Sequence, residues 1–181
     1  MRTHDGREER FSRLVESHAD AVHRYLRNRL SSGDGIDAED VLADVMMIAW
    51  QRLDDIPLDA EAPWLFGVAR NRLMNAHSKR SRRTAISRRL RPLGPSAPAE
   101  DVAVADLALR AAIDALPAPE REALMLTAWE GLTPSQLGVA LGVSVNAAAI
   151  RLSRAKSLLL DQLRGDVDVR ESSDTLARET S

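Results

Sequence analysis

Cysteine is absent from the 181-residue chain, which excludes disulfides and thiolate metal sites. The histidines, His4, His18, His23 and His77, are scattered and make no H-E-x-x-H or related ligand spacing. No apolar run approaches the roughly 20 residues that a membrane span needs. The charged start MRTHDGREERF lacks the apolar stretch of a signal peptide. The expectation is a cytoplasmic soluble protein with no membrane segment of its own. Lysine is nearly missing, with Lys79 and Lys156 the only two. The remaining cations are arginines, whose forks suit phosphates and base edges, although a GC-rich genome produces the same bias. Strand signals are sparse, and no catalytic constellation stands out, so neither an enzyme nor a cofactor is expected.

What is present is a helical pattern and a divided charge. A hydrophobic content of 44% over this length suffices for one medium domain or two small ones of roughly 70–90 residues. From Asp34 to Glu61 there are nine acids and one base, Arg52. From Ala62 to Ala99 there are nine bases and no acid. A formal net charge of −2 hides this split. Blocks of like charge are partner surfaces or solvated faces, and a basic block without acids fits a phosphate backbone.

Helical spacing organises the chain. Phe11, Leu14, Val15, Ala19, Val22 and Leu26 trace one face of a helix over Glu8–Leu30, broken by Ser31-Ser32-Gly33-Asp34-Gly35. Asp37 is the expected N-cap of a second helix reaching about Leu53, with Asp40 at its third position. Asp54–Pro63 reads as a loop, and a third helix runs from Pro63 or Trp64 to the arginines near Arg83. The stretch Arg91–Ala99 has three prolines and a glycine and reads as a linker. The expected division is a domain over 8–91, a linker over 92–104, a second domain over 105–164 and a loose tail over 165–181. Within the second domain, helices are expected over Val102–Ala115 and from Pro117 or Pro119 to Glu130. The fold class is all-α, two small helical domains joined by a Pro-rich linker.

Thr133–Lys156 has the pattern of a helix-turn-helix. Thr133 caps, Pro134 fits the first helical position, and Gln136 completes a capping box. Leu137 and Leu141 face inward, Gly138 permits close helix approach, Gly142 allows the turn, Val143 plugs the core and Ser144 caps the next helix. Ala148 and Leu152 turn inward on that helix. Asn146, Ala147, Arg151, Arg154 and Lys156 remain for its outer surface, where Asn146 and Arg151 reach base edges and Arg154 and Lys156 suit phosphates. A plain helical hairpin is the competing reading, favoured by the run Ala147-Ala148-Ala149.

Two stripes mark the first domain. Val41, Leu42, Val45, Ile48, Ala49 and Leu53 form the apolar face of the second helix. Asp37, Asp40, Asp44, Met47 and Gln51 form its exposed stripe, a solvated face or a docking surface for a basic partner. On the third helix Leu65, Ala69, Leu73 and Ala76 share one side, and Trp64, Asn71, Asn75 and Arg82 another. Two asparagines one turn apart, ending in arginines, form a face able to hydrogen-bond bases and neutralise phosphates. Trp64 stacks on an unpaired base or belongs to the core; core is the expectation, as for Trp50 and Trp129.

These segments together resemble the bacterial RNA polymerase sigma factors of the extracytoplasmic-function group. DAEDVLADVMMIAWQRLDDI is similar to their core-polymerase-binding helix. PWLFGVARNRLMNAHSKRSRR is similar to their melting and minus-ten-reading helix. The stretch from Leu116 to Leu159 is similar to their C-terminal helix-turn-helix domain. The resemblance covers about residues 8–164, in the family's order. It implies that Asp37, Asp40, Asp44, Met47 and Gln51 dock on core polymerase. It implies that Trp64, Asn71 and Asn75 face the minus-ten strand, with Lys79, Arg80, Arg82 and Arg83 on its phosphates. The loop Asp54–Pro63 would wall a pocket for a flipped base, whose unstacking costs a few kcal/mol. The helix from Ser144 to Lys156, with Asn146, Ala147, Arg151 and Arg154, would read the minus-thirty-five element. Partners so implied are core RNA polymerase, promoter DNA and an anti-sigma factor. The chain departs from the family where Ala147 and Ala149 replace a frequent threonine and lysine. A stand-alone helix-turn-helix regulator is the alternative, and a metal-dependent hydrolase using Asp37, Asp40 and Asp44 lacks a second ligand set.

Overall fold

The computed structural model describes residues 2–30, 35–84 and 104–179, with side chains described over 6–30, 35–78 and 107–164. Seven α-helices and no strand occur among them: α1 Arg2–Arg27, α2 Ala38–Gln51, α3 Glu61–Thr84, α4 Val104–Asp114, α5 Ala118–Glu130, α6 Pro134–Leu141 and α7 Val145–Glu179. A short 3-10 turn over Leu53–Asp55 follows α2. Most of the expected linker lies outside the described residues.

Helices α1, α2 and α3 pack as a bundle. Leu14, Val22, Tyr25 and Leu26 of α1 meet Val41, Val45 and Ala49 of α2 and Leu65, Phe66, Ala69 and Leu73 of α3 in one buried cluster. Helix α1 starts six residues before the expected Glu8, and Arg7 among them has work in the fold. Arg7 ion-pairs with Asp54 and donates to the Trp50 carbonyl at 2.7 Å, satisfying one of the free carbonyls at the end of α2. Arg10 donates to the Ile56 carbonyl at 2.7 Å. Helix α3 begins at Glu61, earlier than expected, because Pro63 falls in its first turn, where the missing N–H has no helical partner to lose. The amide of Trp64 bonds the Ala60 carbonyl at 3.0 Å.

Helices α4 to α7 form the second unit. Ala123, Leu124, Leu126, Leu132, Leu137, Leu141, Ala148, Leu152 and Ala155 supply its buried core. Helix α5 ends at Gly131, whose φ of 68° is left-handed and suits glycine. Its successor Leu132 folds back, donating to the Leu126 carbonyl at 3.3 Å, and is buried. That inward place goes to Leu132, and Trp129 stands 47% exposed; the expectation of a core tryptophan fails there. Trp50 and Trp64 are partly buried. Trp50 packs edge-on against Phe11 at 5.2 Å, and Trp64 lies against the core with Arg52 over its ring at 5.7 Å.

The expected loose tail is also corrected. The backbone of α7 continues as helix to Glu179. Helix α7 contains no proline, and Gly165 is its one glycine, so a single weak helix former separates the packed part from the tail and propagation carries through it, although the segment lacks the apolar periodicity by which a helix is read from sequence.

Candidate functional site

Three surfaces carry the polar groups. The first is the stripe on α2. Asp37 caps the helix, accepting from the Glu39 amide at 3.0 Å. Hydrogen bonding with the Glu39 side chain, and then with its amide, holds the Asp37 carboxyl below its usual range. Asp37, Asp40, Met47 and Gln51 are exposed and Asp44 is half-buried. Met47 is 50% exposed, an apolar group set among acids. An open groove lined by Arg27, Leu30, Ile36, Asp37 and Asp40 adjoins the stripe. The backbone that carries it is held on the far side by Val41, Val45 and Ala49 in the core.

The second surface is on α3. Leu65, Ala69 and Leu73 are buried, which turns Asn71 and Asn75 outward, and both are exposed. Gly67, Asn71 and Asn75 follow at intervals of four and share a side of the helix. Trp64 sits at the N-terminal end of that side. The helical backbone carries Lys79, Arg80, Arg82 and Arg83 onward from Asn75; their side chains lie outside the described residues. The loop before α3 presents Leu58, 78% exposed, between Ile56, whose carbonyl Arg10 holds, and the start of the helix.

The third surface is α7 after the turn. Thr133 and Gln136 form the capping box, with Gln136 N–H to Thr133 Oγ1 at 3.3 Å and Thr133 N–H to Gln136 Oε1 at 3.0 Å. Such a cap contributes about 1 kcal/mol. Gly142 has φ of 65°, and a Cβ on Gly138 would stand 3.1 Å from the Val143 carbonyl oxygen, so both glycines are needed for the tight α6–α7 corner. Ser144 Oγ accepts from the Ala147 amide at 3.2 Å. Ala148 and Leu152 are buried, Asn146, Arg154 and Lys156 exposed, and Ala147 and Arg151 half-buried. The residues expected on the outer surface are therefore outward, with Arg151 and Ala147 nearest the packed side.

One cluster escaped the sequence reading. Tyr25, wholly buried, donates to Glu122 of α5 at 2.9 Å. Arg29 lies over the Tyr25 ring at 3.6 Å and faces Glu122 at 3.6 Å and Glu130 at 3.9 Å. Arg24 approaches Glu130 at 4.0 Å. Burial pushes the Glu130 carboxyl up against the pull of Arg29 and Arg24, and burial followed by the Glu122 charge pushes the Tyr25 phenol well above its usual value. These residues join α1 to α5 across the two units. No spacing rule pairs residues so distant in sequence. A lone glycine inside a helical pattern, Gly67, was the available signal of a close approach on α3.

Two family models match the chain. Residues 14–83 match the family model described as Sigma-70 region 2, and residues 106–159 that described as Sigma-70, region 4. The chain is 31% identical over 159 residues to the ECF RNA polymerase sigma factor SigL of Mycobacterium tuberculosis, covering 83% of this chain and 88% of the relative. It is 27% identical over 158 residues to the RNA polymerase sigma factor NccH of Alcaligenes xylosoxydans xylosoxydans, covering 82% and 84%. Among solved structures it is similar to the sigma factor RpoE of Bartonella quintana in complex with the anti-sigma factor NepR. That TM-score is 0.64 at 24% identity, covering 85% of this chain and 96% of that one, a likeness of fold.

Proposed function

The chain belongs to the extracytoplasmic-function sigma factors of RNA polymerase, and from that premise we propose how its surfaces divide the work of transcription initiation. Its role is non-catalytic: core polymerase supplies the chemistry and this chain supplies promoter choice. The α2 stripe of Asp37, Asp40, Asp44, Met47 and Gln51 docks on core polymerase, charge steering the encounter and Met47 supplying apolar contact. Asn71 and Asn75 hydrogen-bond bases of the opened minus-ten strand, with Trp64 at the upstream end of the face. Lys79, Arg80, Arg82 and Arg83 neutralise its phosphates. The loop over 54–63 walls the pocket of an unstacked base, with Arg10 on the Ile56 carbonyl and Arg7 on the Asp54 side chain. The helix from Ser144 reads the minus-thirty-five element, Asn146 and Arg151 at base edges and Arg154 and Lys156 at phosphates. The domains are those of residues 8–91, with Arg7 added at its start, and 105–164, and the protein works in the cytoplasm, with polymerase and chromosome.

The observation that carries this reading is the pairing of two unlike exposed stripes in one small bundle, acids on α2 and asparagines on α3. A stand-alone helix-turn-helix regulator needs neither. A partner of the anti-sigma kind, such as NepR for the Bartonella protein, would compete for the same two stripes. The test is titration of core polymerase with this chain, with and without the reversal of Asp40 and Asp44 to Arg. Saturable binding lost on reversal supports the docking assignment. Unchanged binding refutes it.

A further inference from the structure

Arg52 is the only base between Asp34 and Glu61, and it stands near the point where the acidic block gives way to the basic one. Its backbone amide closes α2 on the Ile48 carbonyl at 2.9 Å, a role that any residue but proline fills. Its side chain reaches α3, where the guanidinium lies over the Trp64 ring, 5.7 Å from the ring centre. At about 100° per residue, Trp64, Asn71 and Asn75 fall within roughly 40° of one another around α3. Trp64 precedes Asn71 by about 10 Å of helix. A cation from α2 thus extends the polar face of α3 at its N-terminal end.

The surroundings leave this cation available. Arg52 Nε donates to Asp55 Oδ2 at 3.1 Å, and Asp55 is its one acidic partner among the described residues. Side-chain exposures of 57% and 62% put both groups in water, where such a pair contributes little to the fold. The bond uses Nε–H alone, and the two terminal nitrogens of the guanidinium carry its other N–H donors. Neighbouring acids have cations of their own: Asp54 pairs with Arg7, and Glu61 with Arg10 and His18. Asp59, the remaining acid of the loop, is exposed. The Trp64 ring and Asp55 together restrain the guanidinium, so less side-chain freedom is lost when it takes an anion.

We propose that Arg52 binds a backbone phosphate of the opened promoter strand beside Trp64, and that Asp55 occupies the guanidinium until that phosphate displaces it. This rests on the reading that Asn71 and Asn75 face the strand. A strand lying along α3 meets Lys79, Arg80, Arg82 and Arg83 beyond Asn75, but α3 has no cation before Arg70. Arg52 supplies the missing charge at the Trp64 end from the neighbouring helix. Phosphates gripped at both ends hold the unpaired bases over the asparagines. The contact carries no sequence information: it sets where the strand lies, and the asparagines set which bases are accepted.

The test is binding of the full-length chain to a fluorescein-labelled single strand of mixed sequence, about 20 nucleotides long. Anisotropy is recorded over a range of salt concentrations, and circular dichroism checks the fold of each variant. Each phosphate contact to a single strand adds about 0.7 to the slope of log affinity against log salt. Arg52→Ala should weaken binding about fivefold and lower the slope by about 0.7. Arg52→Lys keeps the charge and should keep the slope. Asp55→Asn removes the competitor and should strengthen binding about threefold. Asn71→Ala removes hydrogen bonds and no charge, so it should weaken binding at the wild-type slope. A wild-type slope in Arg52→Ala overturns the proposal, as does Asp55→Asn binding no tighter than wild type. If Asn71→Ala weakens binding in either of those cases, the failure is confined to Arg52. Full affinity in Asn71→Ala overturns the reading of α3, and the proposal with it.

Discussion

The hydroxyl of Tyr25 donates to the carboxylate of Glu122 at 2.9 Å across 97 residues of sequence, and this bond ties the first helix of one unit to the second helix of the other. Tyr25 is wholly buried, while the Glu122 side chain keeps 19% exposure. Tyr25→Phe removes the donor and leaves Glu122 free to hydrate. The expected cost is about 1–2 kcal/mol of global stability, measured by urea unfolding. A change below a few tenths would mean that the bond does not hold the units together.

Glu130 makes stability depend on pH. Burial raises its folded-state pKa above the ordinary value of 4.5, despite Arg29 and Arg24. A carboxyl whose pKa is higher folded than unfolded binds protons on folding. Its contribution is therefore full below about pH 4.5 and is lost as pH rises through the folded-state value. Unfolding midpoints recorded from pH 4 upward should fall over that window, after allowance for other groups, and Glu130→Gln should flatten the fall. An identical slope in the variant would remove Glu130 as the cause.

On α2, reversal of Asp40 and Asp44 to Arg alters two outward carboxylates and leaves Val41, Val45 and Ala49 in place. Core polymerase affinity should drop at least tenfold, about 1.4 kcal/mol, with the thermal midpoint nearly unchanged. A parallel loss of helicity would show that the acids serve the fold.

On α3, Asn71→Ala should reduce promoter opening about tenfold and polymerase binding little. The readouts are permanganate reactivity of unpaired thymines and affinity for core polymerase. Equal loss in both would make Asn71 structural.

Much of this was legible from local pattern. Asp37, Thr133, Ser144 and Gly142 occupy the capping and turn positions that their short-range chemistry dictates, because a cap or a left-handed turn is decided within four residues. Leu65, Ala69 and Leu73 face the core as their spacing requires, and this turns Asn71 and Asn75 outward. What local pattern did not carry is contact between distant segments. Arg29 against Glu122 and Glu130, and Gly67 against Ala140, depend on how two units pack, which no helical period encodes. Trp129 was misread because its size suggests burial, whereas the left-handed Gly131 returns Leu132 to the core. Arg7 was set outside the first domain because the apolar stripe of α1 begins at Phe11; its place is given by the Trp50 carbonyl that it caps.

The central claim is that this chain gives core polymerase its choice of promoter. The most direct measurement is transcription by core polymerase on genomic fragments with and without this chain, the start sites mapped and aligned. The account predicts new starts that share two upstream motifs at a fixed spacing, dependent on Asn71 for opening. Duplex DNA binding without polymerase association, and no new start sites, would contradict it and leave a stand-alone regulator.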